Sequence, residues 1–222
     1  IIKVDICIFC SIKTDTIIMY FHGTADHMDF YWNRQKLLAH LGGKNNYGVL
    51  MIDYRGYGTS DGEPTEEGLY IDGKTALNWL QSNGLTSDRL IIYGFSLGTA
   101  PATELTANPR SLTPNKLILE APFASADVMT SDGSGLNMPA SYFVDFKIDV
   151  AEDIKKVKQP FLWIHGTNDK FLSFEKHGKV VFKNYDGTDA NALEVNGAAH
   201  DDVPLVYGFN NYLDDVLAFI RK

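Results

Sequence analysis

A serine hydroxyl becomes a useful nucleophile only when a base takes its proton and a third group holds that base in the right tautomer. Ser96 stands in Gly94-Phe95-Ser96-Leu97-Gly98, where small residues two before and two after the serine permit a sharp, strained turn that exposes the hydroxyl. The apolar run Leu90-Ile91-Ile92-Tyr93 leads in. Helix-compatible Thr99-Ala100-Pro101-Ala102-Thr103 leads out, with Pro101 in the first turn, where proline is tolerated. Such a passage puts the serine at a helix N-terminus, whose dipole and N–H groups favour developing negative charge.

Six histidines compete to be the base. His22 and His165 each close an apolar run as His-Gly, a place where a ring orders a loop. His40 lies in a helical pattern and His177 in an amphipathic, lysine-rich stretch, so both read as surface residues; His27 sits near a helix start. His200 differs, because it follows the last apolar run in the flexible loop Gly197-Ala198-Ala199-His200, ahead of the terminal helix. For the orienting acid, the run Phe161 to His165 is followed by Gly166-Thr167-Asn168-Asp169, which puts Asp169 on the edge that carries Ser96. Asp149 and Asp153 read as helix-start residues. Oxyanion donors are expected at the Leu97 N–H and in the loop His22-Gly23-Thr24-Ala25, with Thr24 first and Ala25 second.

Strands are expected at roughly 3–10, 16–21, 47–52, 89–93, 116–120, 160–165 and 191–195. Between them fall helical patterns over 30–41, from Pro64 to near Gly84, over 97–107, and from about Pro204 to Phe219, with Asp202 as N-cap. Near-continuous apolar strands alternating with amphipathic helices define an α/β chain, a mostly parallel sheet with helices on both faces. Ligands then sit at the carboxyl ends of the strands. Residues 121–150, containing Ser131-Asp132-Gly133-Ser134-Gly135, are too long for a simple connection and read as a short lid or binding insertion. The expectation is one domain over 1–222.

The length of 222 residues supports one sizeable core and is tight for two. A formal charge of −8 speaks against nucleic acid, and the densest basic group, Lys155, Lys156 and Lys158, reads as a solvated helix face. The apolar runs are far too short to span a bilayer. The two cysteines, Cys7 and Cys10, lie in an alternating strand-like segment and read as core or edge residues rather than a zinc or redox pair. The chain begins at Ile1, which reads as a fragment or processed form without a visible signal peptide, so the compartment stays open, cytoplasmic by default.

His22-Gly23-Thr24-Ala25, Asp53 to Gly62, the Gly94 to Gly98 turn, Glu120-Ala121-Pro122-Phe123, His165 to Asp169 and His200 together resemble the α/β-hydrolase superfamily, in family order. They are most similar to its branch of monoacylglycerol and lysophospholipid lipases and bacterial relatives, with protein depalmitoylases close behind. The order Ser96, Asp169, His200 is the one this superfamily uses. The resemblance implies the α/β-hydrolase fold and a serine hydrolase acting on small-molecule acyl esters or thioesters, without metal or organic cofactor. It also implies that a missing N-terminal segment could contact a membrane or lipid surface. Phe95 stands where the branch often has His or Gln, and Lys170-Phe171-Leu172-Ser173 replaces its usual apolar-Pro ending after the acid.

Rival chemistries fit less well. Gly56, Gly58 and Gly62 miss the dinucleotide spacing and follow a later strand. The groups His22, Asp26, His27 and His200, Asp201, Asp202 lack metal-fixing spacing. A non-catalytic hydrolase fold that only binds is the alternative from another class.

Overall fold

The computed structural model describes residues 3–6, 10–44, 46–132 and 147–222. Its strands are β1 (Lys3–Ile6), β2 (Ile17–Phe21), β3 (Gly48–Asp53), β4 (Leu90–Phe95), β5 (Lys116–Glu120), β6 (Phe161–Gly166) and β7 (Ala190–Val195). Its α-helices are α1 (Trp32–Ala39), α2 (Glu66–Ser82), α3 (Thr99–Ala107), α4 (Ala126–Asp132), α5 (Val150–Asp153), α6 (Gly178–Asn184), α7 (Val203–Tyr207) and α8 (Phe209–Arg221).

Among the described residues the strands form one seven-stranded sheet in the order β1-β3-β2-β4-β5-β6-β7, with β4 at its centre. Only the β1–β3 pairing is antiparallel. β2 to β6 are buried along their whole length, which is why their sequences run apolar without alternation. Alternate residues still feed different cores. Ile17, Met19 and Phe21 pack with α2 and α3 through Leu69, Leu77 and Leu105, whereas Ile18 and Tyr20 pack with α1 and α8 through Leu38, Tyr212 and Val216. The registers Phe21–Gly94, Phe95–Glu120 and Glu120–Ile164 align the carboxyl ends of β2, β4, β5 and β6 along one edge.

Several local expectations need correction. Pro64 does not open a helix; α2 starts at Glu66, behind N-cap Thr65, whose hydroxyl accepts the Gly68 N–H at 3.0 Å. The terminal helix is two helices, broken at Gly208, whose φ of 91° an α-helix does not accept. Asp149 does cap α5, accepting the Glu152 N–H at 2.9 Å, but Asp153 ends that helix and pairs with Lys156. The first strand is observed over Lys3–Ile6, and Cys10, half-buried and packed against the core, lies beyond it. Cys7 lies outside the described residues. So does 133–146 of the expected 121–150 insertion, whose described flanks contain α4 and α5. No helix among the described residues is long and apolar enough to cross a membrane.

Candidate active site

The turn after β4 is built around a strained serine. Ser96 has φ of 53°, a left-handed conformation that costs a non-glycine residue about 1–3 kcal/mol and persists only where the surroundings enforce it. Its neighbours show how. A Cβ on Gly94 would stand 2.6 Å from the Gly98 carbonyl oxygen, and one on Gly98 would stand 2.1 Å from that of Phe21. Only glycines let β4, the turn and the end of β2 approach so closely. A 3-10 turn over Ser96–Gly98 then runs into α3, and the Thr99 hydroxyl ties it by donating to the Ser96 carbonyl at 2.6 Å.

The structure brings Ser96, His200 and Asp169 together from three separate strand ends. His200 Nε2 lies 3.0 Å from Ser96 Oγ, and His200 Nδ1 lies 2.7 Å from Asp169 Oδ2. An ionised carboxylate only accepts, so Nδ1 carries the proton and Nε2 is left as acceptor for the serine hydroxyl. Phe95 and Phe171 flank the imidazole, with ring centroids 5.2 and 4.9 Å from it.

Asp169 is held by more than His200. Its Oδ1 accepts the N–H groups of Phe171 and Leu172, each at 2.8 Å, so the Lys170-Phe171-Leu172-Ser173 departure wraps directly onto the acid. Its Oδ2 also faces His165 Nε2 at 3.2 Å. The Trp163 indole N–H points at His165 Nδ1 from 3.3 Å, which leaves the His165 proton on Nε2, shared between Asp169 and the Leu172 carbonyl at 3.0 Å. Burial works against ionisation of Asp169, but these imidazole and backbone donors outweigh it and hold the carboxyl well below the usual range.

The loop of His200 is braced locally. Asp202 sits at the N-cap position of α7 but does not cap it; its Oδ1 accepts the Ala199 N–H at 2.7 Å, closing the turn that carries His200. Thr24 and Leu97, the expected oxyanion donors, border a narrow cavity together with Ser96, and Ala25 lines the larger cleft. That cleft, of about 460 Å³, opens over Ser96 and His200.

The remaining histidines divide differently from the sequence reading. His40 is exposed as expected, but His177 is fully buried, and its Nδ1 accepts the Ala124 N–H at 3.1 Å. Its lysine neighbours look outward while its own ring faces the core, a difference that periodicity around a loop residue does not carry. Also unanticipated is a buried network behind the cleft. Glu120, at the end of β5, accepts from Arg34 of α1 at 2.9 Å and from Tyr212 of α8 at 3.0 Å, and it also bonds Tyr93 of β4. No spacing links residues so far apart in the chain. Among the described residues, no group of three or more His, Cys, Asp or Glu side chains is gathered as a metal site.

A parallel sheet with helices on both faces, a strained serine after its central strand, and an acid and a histidine meeting it from later strand ends define the α/β-hydrolase class. The chain belongs to that superfamily: residues 12–136 match the family Hydrolase_4, described as serine aminopeptidase, S33. It is 31% identical to alpha/beta hydrolase domain-containing protein 17B of Homo sapiens, over 97% of this chain and 70% of that protein. The Xenopus tropicalis protein of the same name is equally identical over the same shares. Among solved structures, an esterase of Pyrococcus furiosus superposes with a TM-score of 0.76 at 19% identity, covering 95% of this chain and 82% of that one. A monoacylglycerol lipase of Paleococcus ferrophilus does so with 0.68 at 15%, covering 99% and 98%. These structural likenesses show the fold.

Proposed function

We propose that this hydrolase is a serine esterase that cleaves carboxylic acyl esters through an acyl-enzyme. The reading rests on one observation, the continuous path Ser96 Oγ to His200 Nε2 at 3.0 Å and His200 Nδ1 to Asp169 at 2.7 Å. As Ser96 Oγ bonds to the ester carbonyl carbon, its proton passes to His200 Nε2. The carbonyl oxygen becomes an oxyanion held by the N–H groups of Thr24 and Leu97, a placement supported by the cavity they share with Ser96. The bond to the leaving oxygen then breaks, and that oxygen takes the proton from His200. His200 next removes a proton from water, whose oxygen attacks the acyl-serine and releases the acid. Asp169 keeps the imidazole oriented throughout. No metal or organic cofactor enters this scheme.

In this reading 1–222 acts as one hydrolase domain. Family resemblance supports monoacylglycerol-, lysophospholipid- or short-chain-ester-like substrates, and an acyl thioester would pass through the same steps. Labelling with a fluorophosphonate probe tests the proposal. Wild type should be modified at Ser96 and hydrolyse p-nitrophenyl esters, and Ser96→Ala should do neither while remaining folded. Folded wild-type protein that takes no label would instead support a binding role for the fold.

A further inference from the structure

A second groove, of about 680 Å³, joins the reaction cleft and shares Asn33, Arg34 and Asp201 with it. It runs between α1 and α7, with Leu37 on one side and, on the other, Pro204 and Leu205 of α7 and Phe209 at the start of α8. Leu205 and Phe209 are 67% and 53% exposed, an unusual surface for large apolar side chains unless something covers them. Lys36, His40 and Asp202 add polar and charged groups to the same walls. Esters with small alcohols make no use of this space.

The direction of the reaction says which half of a substrate meets it. In the tetrahedral adduct the oxyanion points at Thr24 and Leu97, and the leaving atom lies against His200 Nε2, because that nitrogen delivers its proton. The narrow cavity on the oxyanion side is lined by Phe123, Met129, Phe171 and Leu172. The wide groove shares none of these residues and is lined instead by the segment that follows His200, through Asp201 and Asp202 to Leu205. At the junction stands Arg34, fixed by Glu120 at 2.9 Å and Tyr212 at 3.2 Å, with its other amino group 3.5 Å from the Asp201 carbonyl. It forms a rigid post past which the leaving group extends.

We infer that the α1–α7 groove is a leaving-group subsite, which takes the chain of an elongated amphipathic alcohol or thiol. The inference rests on the acyl-transfer reading of Ser96 and His200. The carbon–oxygen or carbon–sulfur bond breaks with its electron pair on the heteroatom, the His200 proton joins that atom, and the freed chain leaves along the groove. Leu205 and Phe209 cover its apolar part, while the polar groups opposite meet its hydrated face.

Two ester series test this. In one, acetate is fixed and the straight-chain alcohol lengthens from ethanol to decanol; in the other, ethanol is fixed and the acid lengthens from acetic to decanoic. Each methylene fully removed from water is worth up to about fourfold in kcat/KM, so a partly open groove should give a gain of about tenfold along the alcohol series. Leu205→Glu and Phe209→Ser change exposed positions, and their thermal melting should match wild type. In both variants the alcohol-series gain should shrink to below about threefold while the acid-series gain persists. Wild type with no alcohol-length dependence would overturn the inference, as would variants that flatten the acid series and spare the alcohol series. Wild type that cleaves neither series nor p-nitrophenyl acetate would instead overturn the esterase reading, and the subsite with it.

Discussion

Two strands of the sheet end in the same dipeptide, and the two imidazoles do different things. His22-Gly23 follows β2 and His165-Gly166 closes β6, and both rings are fully buried. His165 is engaged at both nitrogens, accepting from Trp163 and donating toward Asp169 and Leu172. His22 engages one, with Nδ1 2.7 Å from the Gly23 carbonyl oxygen; its Nε2 stands 3.7 Å from Asp53 and has no hydrogen-bond partner among the described residues. Packed between the rings of Tyr54 and Tyr31, at 4.4 and 5.1 Å, His22 is driven by burial down to a pKa of about 4. A strand end followed by glycine puts a ring into the core in both cases. What the ring then does is set by the groups the fold brings opposite it, a carboxylate shared with His200 in one case and an aromatic cage in the other.

The sharpest break of this comparison is Asp169→Asn, which removes the charged acceptor common to His165 and His200. Turnover on p-nitrophenyl esters should fall by about 10⁴-fold as His200 loses its tautomer, and activity within tenfold of wild type would refute the orienting role. The next effect lies at His22 and is read as stability. Its folded pKa is below its unfolded value of 6.5, so the unfolded chain binds the proton more readily and stability falls as pH drops from about 6.5 to 4. The shift corresponds to about 3 kcal/mol, and urea denaturation of His22→Phe should show about that much less stability lost between pH 6.5 and 4. Asp169, with its lowered pKa, makes an acid-labile contribution of its own, present above the unfolded carboxyl range and lost below it, in both proteins.

His165→Phe should leave His22 untouched and act on the reaction. Loss of one hydrogen bond to a charged acceptor is worth about 1.5–3 kcal/mol, so kcat should drop roughly ten- to hundredfold. KM should stay near wild type, and a loss shared with KM would make the ring a packing residue like His22. The smallest effect is Tyr54→Phe, which removes the 2.8 Å hydrogen bond to the His22 carbonyl. It should cost about 1 kcal/mol of stability without changing the pH profile.

Much of the edge was legible because local chemistry demanded it. Gly94 and Gly98 announce a turn too tight for a Cβ, and Gly197 to His200 announces a loop. Helix ends were less legible, since Thr65 rather than Pro64 caps α2, and Gly208 divides a helical pattern that reads as continuous. His177 was misread because lysines surround it in the chain, whereas its partner, the Ala124 N–H, comes from the far side of β6 in sequence. The Arg34–Glu120–Tyr93–Tyr212 cluster had no sequence signal, as its members share neither a period nor a segment.

The amino-acid sequence by itself determined the alternation of strands and helices, the strained serine turn and the order of serine, acid and histidine along the chain. Each of these follows from interactions within a few residues or from one-dimensional apolar patterning. Only the tertiary structure decided which histidine serves Asp169 from behind, which one is caged, and that a second groove meets the cleft on the His200 side. Those depend on which strands lie side by side and on how closely distant helices pack, and no local spacing encodes either.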